Sequence, residues 1–168
     1  MKFRNLLIAF AVLTLGSAAA EEAKPFNPAD YPAEVQKALR YANEECTARG
    51  GTVTFAQNTV RKLDLTGDGR DDYIVSFAGT KCADHEAVYC GTGGCVLDIL
   101  VMLPNGEVRR VFDGYVRSYE IHPDPVARPR EPRRISFELH GGYCGGHGSP
   151  SCIKEKVITA RPFAFKMP

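Results

Sequence analysis

The sequence predicts an α+β fold in which one N-terminal helix packs on an antiparallel β-sheet and disulfides staple the two. Three observations carry that prediction. Apolar residues take helical spacing in one stretch, at Val35, Ala38, Leu39, Ala42 and Cys46, the single stripe of an amphipathic helix. From Val53 onward the period becomes two, in short runs divided by Gly, Pro and Asn, as strands joined by turns require. Six cysteines, Cys46, Cys82, Cys90, Cys95, Cys144 and Cys152, lie in the same part of the chain, and an even number in an exported protein reads as a disulfide framework.

Export is itself an expectation from the first twenty residues. Lys2 and Arg4 precede an apolar run from Leu6 to Leu15, and Ala18-Ala19-Ala20 offers a small-residue cleavage site before Glu21. This is the layout of a secretory signal over residues 1–20, cleaved after Ala20. The apolar run is too short to span a bilayer, and no later run is longer, so no membrane span is expected after cleavage. The expected location is periplasmic or secreted. Removing 20 of the 168 residues leaves 148, enough for one domain with a real core. Without Lys2 and Arg4 the balance is 19 basic against 20 acidic residues, which argues against a nucleic-acid partner. Residues 21–30, with Pro25 and Pro28, read as an extended arm, and residues 31–168 as the domain.

The helix should run from Pro32 to Ala48. Pro32 suits the first turn, Glu34 faces the positive end of the helix, and Gly50-Gly51 stop it. Val60, Leu63 and Leu65 lead into Asp64–Asp72, and Tyr73, Val75 and Phe77 leave it as the opposing strand. Residues 79–95 read as a cross-linked irregular segment. Val96 to Leu103 is apolar on both faces except at Asp98, so it should be central in the sheet. Pro104-Asn105-Gly106 turns the chain into Val108–Phe112, and Asp113-Gly114 reads as a second turn before Tyr115–Ile121. Pro123, Pro125, Pro129 and Pro132 exclude a central strand from residues 122–134. Ile135, Phe137 and Leu139 alternate as a strand, and Ile153–Ile158 and Pro162–Phe165 offer the last short ones. The preferred cysteine pairs are Cys46–Cys82, Cys90–Cys95 and Cys144–Cys152, the last two each closing a short glycine-rich loop.

Within this frame Asp64-Leu65-Thr66-Gly67-Asp68-Gly69-Arg70-Asp71-Asp72 has a chemical pattern. Asp64, Thr66 and Asp68 hold positions 1, 3 and 5, the Arg70 carbonyl position 7 and Asp72 position 9, and the sixth residue is Gly69. Alternate short oxygen ligands around a glycine turn are what a hard cation such as Ca²⁺ requires. The loop resembles the calcium loops of FG-GAP/integrin-type and VCBS repeats, in which an Asp/Gly loop runs into a strand. It differs from an EF-hand at Thr66, at Val75 where a bidentate Glu belongs, and in the strand that follows. A hydroxyl at position 3 and no bidentate Glu imply weak binding, on the order of 10⁻⁴–10⁻³ M. One copy occurs, so no propeller is implied. A tight turn whose carboxylates bond local amides without metal is the alternative. The order of features along the chain also resembles that of small exported proteobacterial proteins, which implies a periplasmic location and no particular reaction.

Other residues offer other chemistry. His140, Cys144, His147 and Cys152 supply zinc-type donors, but an oxidising compartment would join the two thiols, so a disulfide loop is expected in place of zinc. Asp84-His85-Glu86 sets an imidazole beside two carboxylates, without a Gly-x-Ser-x-Gly nucleophile in the chain. The glycines of Gly91-Thr92-Gly93-Gly94 could form an anion nest, although the flanking cysteines explain them more simply. Arg128, Arg130, Arg133 and Arg134, opposed only by Glu131, suggest a patch for an anionic partner, extended by Arg109, Arg110 and Arg117 if the sheet brings them close. No aromatics interleave with these arginines, which argues against single-stranded nucleic acid. The expected function is a non-enzymatic binding or structural module of the periplasm or exterior, fastened by disulfides and one Ca²⁺. Its partner would be an envelope component, an inhibitor target or another exported protein. The alternative is a small periplasmic hydrolase using His85 or His147 with nearby carboxylates.

Overall fold

The computed structural model describes residues 26–85, 87–122 and 130–167. The expected signal, residues 21–25 of the arm, Glu86 and Arg128 lie outside the described residues. In the described part of the arm Asn27 is extended and residues 28–30 are not. Pro28–Asp30 form a 3-10 turn capped by the Asn27 side chain, which accepts the Ala29 amide at 3.1 Å, and the Phe26 ring packs 5.5 Å from Phe55.

The helix α1 (Ala33–Thr47) buries Val35, Ala38, Leu39, Ala42 and Cys46, the stripe its spacing predicts. Ten strands follow: β1 (Val53–Thr54), β2 (Val60–Leu63), β3 (Asp72–Ser76), β4 (Lys81–Cys82), β5 (Cys90–Gly91), β6 (Gly94–Met102), β7 (Val108–Val116), β8 (Ser118–His122), β9 (Arg134–Leu139) and β10 (Cys152–Val157). Among the described residues every strand pairing is antiparallel. The fold is α+β as predicted, but the strands form three sheets where one was expected. A small β1–β4 ribbon accompanies a five-stranded sheet ordered β2-β3-β6, with β5 and β7 also on β6, and a three-stranded sheet ordered β10-β9-β8.

The division occurs at Arg117. Its amide donates to Glu138 O at 2.9 Å, so the chain leaves the large sheet after Val116 and starts β8 against β9. The turn predicted at Asp113-Gly114 is absent, because β7 continues through it. Asp113 stands opposite Asp98 and Gly114 opposite Leu97. Gly114 is where the Phe112 ring folds over the strand: a Cβ there would lie 3.0 Å from Phe112 Cζ. Pro162–Phe165 forms no strand either. The Phe163 amide bonds Val111 O at 2.8 Å, and the rings of Phe163 and Phe165 pack on Phe112 at 5.0 and 5.6 Å.

The large sheet is buried on both faces. On one, α1 packs on Val60, Tyr73, Val75, Phe77 and Leu100. On the other, Leu65, Ile74, Leu97, Ile99 and Val101 meet Ile135, Phe137 and Leu139 of the small sheet. β6 lies between these cores, as its continuous apolar run predicts. Disulfides join Cys46–Cys82, Cys90–Cys95 and Cys144–Cys152, the preferred pairing. The first ties α1 to β4 across a sequence separation of 36, which on chain entropy is worth about 4 kcal/mol against about 2 for the shortest loop.

Candidate functional site

The Asp64–Asp72 loop connects β2 to β3, whose register sets Leu63 opposite Asp72 and Val60 opposite Val75. Its shape is written in hydrogen bonds from its own amides. Asp64 Oδ1 accepts the amides of Gly67 at 2.6 Å and Asp68 at 3.2 Å, and its Oδ2 accepts Gly69 at 2.8 Å. Gly67 and Gly69 take φ of +75° and +85°, the left-handed region that glycine enters without penalty. Asp68 Oδ1 accepts the Arg70 amide at 2.9 Å, and its Oδ2 bonds the Arg70 guanidinium. Arg70 Nε also donates to Met102 O at 3.3 Å.

Asp72 differs from its neighbours. It is fully buried, with Oδ2 accepting the amides of Leu65 and Thr66 at 2.8 and 3.0 Å and Oδ1 accepting Met102 at 2.8 Å. Burial pushes its carboxyl above the ordinary range, while the same three amides pull it back. Both its oxygens accept backbone amides, as both oxygens of Asp64 do; what sets Asp72 apart is its burial, from which it braces the loop from below. Among the described residues no group of three or more His, Cys, Asp or Glu side chains is set to hold a metal ion. One polar atom of the loop is left over: Thr66 Oγ1 is buried and has no hydrogen-bond partner.

Arg133, expected on a surface patch, is 1 % exposed. Its amide donates to Leu65 O at 2.8 Å and its Nε to Asp64 O at 3.2 Å, so it anchors the back of the acidic loop. The contact is close. A Cβ on Gly67 would lie 2.6 Å from Pro132 N and 2.7 Å from Glu131 C. The sequence holds a signal for this that composition hides, since Arg133 falls in the same phase as the inward-facing Ile135, Phe137 and Leu139. Arg134, one phase out, is exposed and pairs with Glu155 at 3.3 Å. Arg130 is exposed. Arg110 is turned instead to Asp98 and Asp113, at 3.6 and 3.5 Å, and Arg117 bonds Thr92 O. The arginines near one another in sequence thus do different jobs: Arg133 is buried behind the loop, while Arg134 pairs with a carboxylate at the surface.

His85 lies in an open groove of about 380 Å³ with Lys81, Tyr89, Cys82 and Cys90 on its walls, between Asp84 and Ala87, which take φ of +61° and +60°. His147 is exposed in the Cys144–Cys152 turn. Neither imidazole bonds a carboxylate among the described residues. His140 Nδ1 accepts the Gly142 amide at 3.1 Å, and the Cys144–Cys152 bond leaves that donor set without a thiolate. A residue with no assigned role in the sequence stands out: Asp98, the polar exception on β6, is 4 % exposed, and burial pushes its carboxyl up to about 6 against the opposing pull of Arg110.

No protein-family model, curated protein or solved structure matches the chain.

Proposed function

We propose that the protein is a non-enzymatic binding or structural module of an oxidising, exported compartment, held in shape by its disulfides and by one weakly bound Ca²⁺ in the Asp64–Asp72 loop. Three disulfides in one chain fit an oxidising compartment, and no helix among the described residues is long and apolar enough to cross a membrane. The signal over residues 1–20 belongs to the same reading. The cation reading is carried by the Thr66 hydroxyl. A buried polar atom without a partner is uncommon in a folded protein and calls for a water or an ion beside it. This one sits at position 3 of an oxygen-rich loop, between Asp64 and Asp68. Asp64, Thr66, Asp68 and the Arg70 carbonyl would hold the ion, which would supply charge neutralisation and no chemistry. Asp72, fully buried beneath the loop, would act as their brace.

Melting curves with and without Ca²⁺ test this. At about ten times its Kd the ion adds roughly 1.4 kcal/mol, or about 4 °C for a domain of this size. Asp64→Asn with Asp68→Asn keeps one acceptor oxygen in each side chain, removes the charge, and should abolish the shift. An equal Ca²⁺ response in wild type and double variant would refute the site.

A further inference from the structure

We infer that the open edge of β10 receives an extended, acidic peptide strand from a partner protein. This goes beyond the cation site and rests on the binding-module reading only in supposing a partner.

β10 is an end strand of the small sheet and pairs on one side alone, with β9, over six consecutive residues. Among the described residues no backbone hydrogen bond reaches its other side. An unpaired row of amides and carbonyls is a template for another strand, and natural sheets usually shorten, bend or cover such an edge. Among the described residues β10 is neither shortened, interrupted nor paired on its outer side. Two of its aliphatic side chains, Ile153 and Val157, are 69 % and 44 % exposed. They lie on one face with Glu155 between them, and Lys154 and Lys156 lie on the other. The lysines are held in place. Lys154 Nζ bonds Tyr143 O at 2.6 Å and lies over the Phe165 ring, and Lys156 lies over Phe163.

That charge pattern selects the occupant. A second copy pairing antiparallel about Glu155 would bring Ile153 against Val157, which is favourable. It would also set Glu155 against Glu155 and Lys154 against Lys156 twice, and like charges directly opposite destabilise a strand pair. The lysines therefore keep copies of this chain apart. A strand with carboxylates opposite Lys154 and Lys156, and apolar residues opposite Ile153 and Val157, meets complementary groups on both faces. Strand addition of this kind draws affinity from the backbone and specificity from alternate side chains.

The probe is an end-blocked synthetic peptide alternating Glu and Val, mapped by amide chemical shifts on the full protein. Expected shifts run along Cys152–Val157 and weaken at high salt. A peptide with Lys in place of Glu should not bind. Lys156→Glu, at an exposed site, should weaken the acidic peptide about fivefold and admit the basic one; Lys154→Glu with it should deepen both effects. Methylating alternate peptide nitrogens, which removes the edge bonds and keeps the charge, should abolish binding. Equal binding of both peptides, an unaffected methylated peptide, or self-association through β10 would each overturn the inference. Shifts confined to another surface would remove β10 as the site and leave a binding module standing. No shift anywhere would remove the strand partner, while the cation reading keeps its separate melting test.

Discussion

Asp98 gives the most direct quantitative test of the packing, because one carboxyl is buried in the central strand with little to compensate it. Its side chain is 5 % exposed, and its nearest cation, Arg110, stands 3.6 Å away with 31 % of its own side chain open to water. Burial raises the carboxyl from 3.8 to about 6. The folded protein therefore holds this proton more tightly than the unfolded chain does. The stability it contributes is fully present below about pH 4 and is lost as pH rises through about 6. The span corresponds to roughly 3 kcal/mol between the two limits. Asp98→Asn keeps the shape and removes the titration. At pH 7.5 the variant should be more stable than wild type by roughly 3 kcal/mol, a span that already includes the opposing attraction of Arg110. At pH 4 the advantage should disappear. Urea unfolding of both proteins from pH 4 to 7.5 measures the difference, and the difference matters more than either curve. Asp72 is shifted in the same direction by burial and contributes equally to both proteins, so it cancels. A wild-type-minus-variant difference that does not change with pH would show that Asp98 titrates normally and that β6 is wetter than its packing implies.

Two further substitutions probe the acidic loop. Asp72→Ala removes the acceptor of three buried amides and should cost roughly 3–6 kcal/mol in urea unfolding with or without Ca²⁺; a loss below about 1 kcal/mol would mean that water replaces the carboxylate freely. Gly67→Ala and Gly69→Ala both force a side chain into a left-handed backbone, but only at Gly67 would the new Cβ meet atoms, with Pro132 N at 2.6 Å and nothing within 4 Å at Gly69. The Gly69 change should cost about 1 kcal/mol and the Gly67 change at least twice that; equal losses would show that the 130–133 segment does not press on the loop.

What the sequence makes legible is what local spacing controls. The stripe from Val35 to Cys46 becomes α1 because one apolar face at helical period has one way to be buried. Two of the preferred cysteine pairs are suggested by the short glycine-rich loops they close, and the structure forms all three. Strand partnership is a different kind of information. Alternation in Tyr115–Ile121 and Ile135–Leu139 tells which side chains face inward, but not that the strands before and after Arg117 belong to different sheets. Asp113-Gly114 carries a strong turn signal. Tertiary context overrides it, since Asp113 and Asp98 flank the shared Arg110 and β7 stays paired with β6 through the dipeptide. Arg133 departs from the expected patch for a related reason: net charge along a segment ignores phase, and phase sends Arg133 into the core while Arg134 faces water.

These features bear on how an ion could act in the loop at all. Where a metal supplies the energy that folds its own site, chelation unfolds it. Here the loop is fixed from three directions by protein alone: Asp72 below, Arg133 behind, and the 130–132 backbone against Gly67. The proposed cation would enter a site already formed, and its modest affinity would follow from its ligands, with no coupled folding to drive it. Hydrogen exchange with and without EGTA separates the two cases. The amides of Leu65, Thr66 and Met102, bonded to Asp72, should stay protected after chelation, and only those of Gly67, Asp68 and Gly69, bonded to Asp64, should respond. If chelation exposes those three amides, the protein frame does not suffice to hold the loop, and the ion rather than Asp72 and Arg133 keeps β2 and β3 joined in register.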